Sequence, residues 1–240
     1  MIKTEIETIG TVLQSQLLVQ ANGIEHFSSL RTSQHPGKGV WMPQQVHGTE
    51  IFVLDEHVAL DEHLELQPYD ADAVITRQRG RWIGVRTADC VPILLFDPSV
   101  SAIAAIHAGW RGTVKHIVRQ TLLRMNQAWG CLPQNILAMI GPSISPEAFE
   151  VGEEVAEAFR QTNRGECVLF DLWGTKGHMR FAKPHIDLWQ SNVTDLTEAG
   201  VDLCNIDCTP ACTYSNYDVL FSARREGIGT GRNITAIKLV

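Results

Sequence analysis

The sequence has no excess of basic residues. Lys and Arg total 20 against 27 Asp and Glu, for a formal net charge of -7. That excludes a general binder of polyanions, because nucleic-acid phosphates are gripped by basic stripes. Long apolar runs are also missing, and none approaches the roughly 20 residues of a membrane span. Between Met1 and Gln20, the acidic Glu5 and Glu7 stand where the uninterrupted apolar core of a signal peptide belongs, so a cytoplasmic location is expected. No Gly/Ser/Pro-rich linker divides the 240 residues. The nearest candidate, Thr162 to Gly177, reads as a polar loop with an apolar island at Val168-Leu169-Phe170, and a single domain over residues 1–240 is expected. At 44% hydrophobic residues, a chain of this length buries a substantial core. Six cysteines, at 90, 131, 167, 204, 208 and 212, match three disulfides in number. Without an export signal they are expected to stay reduced.

Against these absences, three segments stand out: Gln44-Gln45-Val46-His47-Gly48, Thr87-Ala88-Asp89-Cys90 and Ile106-His107-Ala108-Gly109-Trp110-Arg111-Gly112. None is a short-range metal motif of the C-x-x-C or H-E-x-x-H kind. Together, however, they offer two imidazoles and one thiolate. These fill three positions of a tetrahedral ion and leave the fourth for water or substrate, the arrangement of a catalytic zinc site and not of a structural one. Local context supports the set. His107 follows the apolar run Ala102 to Ile106 and precedes Gly109 and Gly112, so it reads as the last residue of a buried strand entering a glycine-bearing turn. Cys90 abuts the apolar run Val91 to Phe96, and His47 lies beside Gly48 before the β-branched stretch Thr49 to Val53. The spacing Cys204-x3-Cys208-x3-Cys212 invites a second metal site, but Pro210 interrupts any helix that would gather those thiols.

Periodicity predicts helices over Gly112–Gly130, Pro146–Gln161 and Pro184–Glu198. Strands are expected at Glu50–Leu54, Ala73–Thr76, Ile83–Thr87, Val91–Phe96, Ala102–His107, Ile136–Ile140, Val219–Ser222 and Ile234–Leu239. The fold class is therefore α/β or α+β. A helix opening at the His107-to-Gly112 turn would aim its free N–H groups at the metal and, with Arg111, cradle an anion.

The strings QQVHGTEI, DADAVIT, RTADCVPILLFD, AAIHAGWRGTV, IGPSISPEAFEVGEEV and FSARREGIGTGR resemble the purine nucleoside phosphorylase family also described as YfiH or laccase-domain-containing proteins. The likeness runs in order from about Val40 to the C-terminus. It implies an α+β domain with mixed β-sheets sandwiched between helical layers. It also implies zinc, with copper as the alternative ion, on His47, Cys90 and His107, and no ligand at Cys204 or Cys208. The implied activities are phosphorolysis of adenosine, inosine and 5'-methylthioadenosine, together with deamination of adenosine. Relatives are also described as editing peptidoglycan precursors and, in older usage, as polyphenol oxidases. One departure concerns the N-terminal part. Family members carry a Ser-x-x-Arg-x-Gly-Gly-x-Ser segment and a Ser-Leu-Asn-Leu block, whereas this chain has Ser28-Ser29-Leu30-Arg31-Thr32-Ser33-Gln34 and passes almost at once to Trp41. Arg31 stays in register, and a more open pocket or a changed preference is expected if the segment lines the substrate.

Purine nucleosides and phosphate are thus the expected partners, with no nucleic acid and no membrane. Phosphorolysis requires phosphate at the anomeric carbon, support for an oxocarbenium-like transition state and protonation of the departing purine. Asp72, in Asp70-Ala71-Asp72, and Asp89 beside Cys90 are candidate proton shuttles or partners that orient a ligand imidazole. The competing reading is that Asp70 caps a turn and Asp89 binds backbone amides at a strand break. Arg111 is a candidate both for catalysis and for substrate binding, and Arg31, Arg224 and Arg225 are candidate substrate-binding residues, with Arg232 near them in sequence. Three rival readings remain. Cys90 is a nucleophile with His107 or His47 as base, suited to amide cleavage; or the site is a copper oxidase; or it is a zinc-stabilised binding module without turnover.

Overall fold

In the computed structural model, residues 8–9, 12–34, 37–54, 69–174, 177–209 and 211–240 are described. Glu5, Glu7 and Pro210, on which two of the expectations above rest, lie outside them. In chain order, the elements up to the first ligand strand are β1 (Thr8–Ile9), β2 (Val12–Leu13), α1 (Gln16–Gln20), β3 (Ile24–Ser29), β4 (Val40–Trp41), β5 (Ile51–Leu54), β6 (Ala73–Thr76), β7 (Trp82–Thr87) and β8 (Val91–Asp97). They are followed by β9 (Ala102–Ala108), α2 (Trp110–Val114), α3 (Ile117–Trp129), β10 (Leu137–Ile140), α4 (Glu153–Arg160), β11 (Val168–Gly174), β12 (Gly177–Ile186), α5 (Leu188–Glu198), β13 (Ile206–Cys208), α6 (Ala223–Glu226) and β14 (Asn233–Leu239).

Two mixed six-stranded sheets form, ordered β1-β2-β3-β14-β7-β4 and β13-β10-β8-β9-β6-β5, and β11 pairs with β12 as a separate hairpin. The parallel neighbours are β4/β7, β5/β6 and β10/β13. Strand alternation divides the core. Val74, Leu94, Phe96, Ile103 and Ala105 face the first sheet, meeting Ile83, Val85, Ile237 and Leu239. The opposite face of the same strands, with Ala73, Ile75, Ile93, Leu95, Ala104 and Ile106, packs on Ile117, Val118, Leu122 and Met125 of α3, Phe159 of α4 and Leu196 of α5. Burial on both faces is why β8 and β9 read as unbroken apolar runs and not as alternating ones. The result is an α+β architecture of mixed sheets with a helical layer.

Several element boundaries differ from the sequence reading, each for a local reason. The helix expected over Gly112–Gly130 is two helices, because His116 takes a left-handed backbone (φ 58°) between α2 and α3. Gly130 does end it in a left-handed C-cap, its N–H reaching the Asn126 carbonyl at 2.7 Å. Residues 146–148 form a turn, Glu150 bridges to His185, and the helix expected from Pro146 starts only at Glu153. Pro184 lies within β12, and α5 starts at Leu188 behind Asp187, whose carboxylate accepts the Gln190 N–H at 2.8 Å. The expected polar loop over Thr162–Gly177 contains the strand β11, whose apolar island was the visible trace of the hairpin. Val219–Ser222 is a turn and bend leading to α6, not a strand.

Candidate metal centre

The sheet order decides where the site forms. β8, β9, β6 and β5 are neighbours, and the N-terminal ends of β8, β6 and β5 lie at the same edge as the C-terminal end of β9. Val91 pairs with Ala108, so Cys90 falls beside the His107-to-Gly109 exit. Ala73 pairs with Ile106, which puts Asp72 next to His107, whose N–H donates to the Asp72 carbonyl at 2.7 Å. The loop entering β5 brings His47. Ligand atoms of His47, Cys90 and His107 consequently lie within 4.8 Å of one another. The imidazoles meet edge to face, with centroids 4.9 Å apart. His107 is buried, Cys90 half-buried and His47 exposed, so the cluster opens on the His47 side.

Asp72 is fully buried and bonds to the His107 side chain and to the His47 backbone. Its Oδ1 bonds to His107 Nδ1 at 2.7 Å and accepts the His47 N–H at 3.0 Å, while Oδ2 accepts the N–H groups of Gly48 at 2.6 Å and Val46 at 3.3 Å. The loop at His47 is itself left-handed (φ 59°). With Nδ1 committed to a carboxylate, the proton of His107 is held there and Nε2 is left for the cluster. Burial disfavours ionisation of Cys90, but hydrogen bonds from His107 and His47 outweigh it and lower the thiol to about 6. Burial likewise opposes charge on His107, yet Asp72 and Cys90 raise it to about 9. Burial also acts against the Asp72 carboxylate, and its bonds to His107, Gly48 and Val46 still hold it below the usual carboxylate range. The centre thus joins one thiol and two imidazoles in a single hydrogen-bonded set. With two imidazole nitrogens and one sulfur, its donor chemistry fits zinc. Gly109 is the position that leaves room. A Cβ there would lie 3.1 Å from Cys90 Sγ and 3.2 Å from His47 Cδ2.

The expected residues divide into those beside the centre and those elsewhere. Arg111, exposed at the start of α2, stacks over Trp110 at 4.3 Å. The helix it opens is only five residues long, so the expected anion cradle reduces to a single turn. Asp89 directs its carboxylate to Arg224 N–H (2.7 Å) and to the Thr213 hydroxyl (2.6 Å), away from the ligand imidazoles. Arg31 pairs with Glu226 and donates to the Leu220 carbonyl at 3.1 Å. Arg225 lies over Tyr217 at 3.7 Å, and Arg232 donates to the carbonyls of Gly231 and Ile228, each at 3.0 Å. Arg224 alone of these last four lines a cavity of about 450 Å3, together with Trp110, Phe149, Glu150, Val151, Gly152, Glu154, Val155 and Lys183. Its guanidinium donates to the Glu150 carbonyl at 2.7 Å. None of the three ligands lines this cavity; Trp110, next to Gly109 in the chain, is the lining residue nearest to them in sequence. Sequence reasoning missed Trp110, Phe149 and Lys183. Trp110 and Phe149 did stand inside the quoted AAIHAGWRGTV and IGPSISPEAFEVGEEV strings, whereas Lys183 carried no signal. Cys204, Cys208 and Cys212 form no metal-ligand group among the described residues; Cys204 is exposed and Cys212 accepts the Ser145 N–H.

Comparison with known proteins agrees with this picture. Residues 12–240 match the profile of the family described as multi-copper polyphenol oxidoreductase laccase. A protein of Bacteroides thetaiotaomicron named purine nucleoside phosphorylase is 41% identical over 201 residues, covering 82% of this chain and 72% of the relative. A protein from an unknown prokaryotic organism, named adenosine deaminase RL5, is 40% identical over 200 residues, covering 82% and 73%. The crystal structure of the hypothetical protein YfiH from Bacillus licheniformis superposes with a TM-score of 0.81 at 20% identity, covering 96% of this chain and 97% of that one. No helix among the described residues is long and apolar enough to cross a membrane. The chain belongs to the multi-copper polyphenol oxidoreductase laccase family of YfiH-type enzymes.

Proposed function

We propose that the chain is a zinc-dependent purine nucleoside phosphorylase acting on adenosine, inosine and 5'-methylthioadenosine, and that it also deaminates adenosine. The observation that carries this reading is the convergence of His47, Cys90 and His107; Asp89, the neighbour of Cys90, bonds to Arg224, which lines a cavity with aromatic and cationic walls. Names borne by relatives at 41% and 40% identity support it. An ion held by the three ligands supplies an electrophile that polarises the group placed against it. Trp110 and Phe149 offer flat apolar faces for a purine. Arg224, oriented by the Glu150 carbonyl, offers a fixed cation for phosphate, and Arg111 offers another at the Trp110 edge. Asp72 holds the proton on His107 Nδ1, so the ligand nitrogen stays unprotonated. The test is product analysis of zinc-loaded protein with adenosine. Adenine and ribose 1-phosphate are expected with phosphate, and inosine without it. Release of none of these products, with a Cys90→Ala variant behaving identically, overturns the assignment.

One observation favours a second reading. A thiol whose sulfur lies within 4.8 Å of two imidazole nitrogens, one ring being held by the Asp72 carboxylate, also suits a cysteine nucleophile, as in an amidase acting on peptidoglycan precursors. Alkylation separates the two. A metal-bound thiolate resists iodoacetamide until a chelator removes the ion, whereas a free nucleophile is alkylated and inactivated at once.

A further inference from the structure

Asp89 immediately precedes Cys90, is 9% exposed and has a left-handed backbone, with φ 94°. Such a conformation in a residue other than glycine costs on the order of 1–3 kcal/mol and persists only where surroundings enforce it. The surroundings here are two loops and the first turn of α6. The Asp89 carbonyl accepts the Ile144 N–H at 2.9 Å, Oδ1 accepts the Thr213 hydroxyl at 2.6 Å, and Oδ2 accepts the Arg224 N–H at 2.7 Å. Both carboxylate oxygens are therefore occupied by donors of the protein itself. Arg224 belongs to α6, which begins behind Ser222 and places the Arg224 side chain on the cavity wall.

A second clasp holds the same segment from the other side. Arg31 donates from Nε to the Leu220 carbonyl at 3.1 Å, lies 4.3 Å over the Phe221 ring and pairs with Glu226. We propose that Asp89 is a positioning residue and not a proton shuttle: it ties segment 222–226, and with it the Arg224 guanidinium, to the strand end that carries Cys90, while Arg31 fastens the far side of that segment. This assigns Arg31 to the frame of the pocket and not to the substrate. The part that concerns turnover rests on the nucleoside reading above; the anchoring does not.

Two variants test it. Asp89→Gly keeps a backbone at ease with positive φ and removes only the carboxylate. Asp89→Asn retains an acceptor for the Arg224 N–H, can meet the Thr213 hydroxyl with its amide, and tolerates the left-handed region. For Asp89→Gly the expected results are a KM for phosphate or nucleoside raised about 10-fold with kcat much less affected, and unchanged bound zinc. Tryptic cleavage after Arg224 and Arg225 should also be about 10-fold faster, because the segment opens locally. Asp89→Asn is expected to remain within about 3-fold of wild type in both readouts, with an unmoved pH profile. An Asp89→Asn enzyme with a strongly lowered kcat but wild-type proteolysis would assign proton transfer to the carboxylate and overturn the proposal. So would an Asp89→Gly protein with wild-type KM and proteolysis, or one that loses its zinc. If wild-type protein turned over no nucleoside, the nucleoside reading would fall, and the trypsin comparison would still decide the anchoring.

Discussion

Replacing Asp72 by Asn should damage the centre whichever way the new amide points. The carboxylate receives four donors, His107 Nδ1 and the His47 N–H on Oδ1, and the Val46 and Gly48 N–H groups on Oδ2. An Asn side chain keeps one oxygen and turns the other position into a donor. If the amide nitrogen takes the Oδ1 position, it donates to His107 Nδ1, moves the ring proton to Nε2 and removes the lone pair that a metal needs. If it takes the Oδ2 position, the Val46 and Gly48 N–H groups lose their acceptor and the loop bearing His47 is released. Either orientation forfeits two charge-assisted bonds at about 1.5–3 kcal/mol each before relaxation. The melting temperature should therefore fall by roughly 10 °C, at the 2–4 °C per kcal/mol of a domain this size. Removing a partner that orients a ligand imidazole should weaken zinc binding about 10–100-fold. Competition with a chelating dye and a thermal melt of the same preparation measure both. Wild-type zinc affinity together with a wild-type melt would refute the reasoning that Asp72 holds the His107 side chain and the His47 backbone.

Gly109→Ala should lose zinc and activity with only a small change in stability, because its Cβ would come within 3.1 Å of Cys90 Sγ and 3.2 Å of His47 Cδ2 at the open end of the cluster; metal analysis beside a melt checks this. In chelator-treated protein, alkylation of Cys90 should reach half its maximal rate near pH 6, since His107 and His47 overcome burial to stabilise the thiolate; a midpoint near the ordinary thiol value of 9 would break the pairing argument. His26 accepts the Ser15 N–H at 2.9 Å and is held to about 4 by burial, against the pull of Asp207. Below its ordinary value of 6.5 the unfolded chain binds a proton that the folded one refuses, so stability should drop as pH falls from 6.5 toward 4. The loss is at most about 3 kcal/mol at 1.36 kcal/mol per unit. His26→Gln should flatten that part of a melting-temperature profile.

The ligand strands were legible because burial on both faces leaves an unmistakable mark: Val91 to Phe96 and Ala102 to Ile106 contain no outward polar alternation, so their ends point to a cleft edge. Asp72 was visible as a partner for an imidazole, although nothing in its spacing told that it also gathers the amides of the His47 loop. The break at His116 was hidden because Val114, Ile117, Val118 and Leu122 keep a helical stripe across it; the kink depends on a tertiary bond from His116 Nδ1 to Asp195 at 2.9 Å. Among the described elements before residue 42, β1, β2 and β4 went unread because they are two residues long, and the longer β3 takes its place from pairing with β14 at the other end of the chain. The contacts of Arg31 to Leu220 and Glu226 were invisible because those residues lie some 190 positions away in sequence.

The central claim is that His47, Cys90 and His107 share one ion on which turnover depends. Its most direct test is metal content measured together with phosphate-dependent release of adenine, in wild type and in the Cys90→Ala variant. The account predicts one zinc per chain and turnover in wild type, both removed by a chelator and both absent from the variant. Full adenine release from zinc-free protein, or a Cys90→Ala protein that keeps its zinc and its rate, would contradict it.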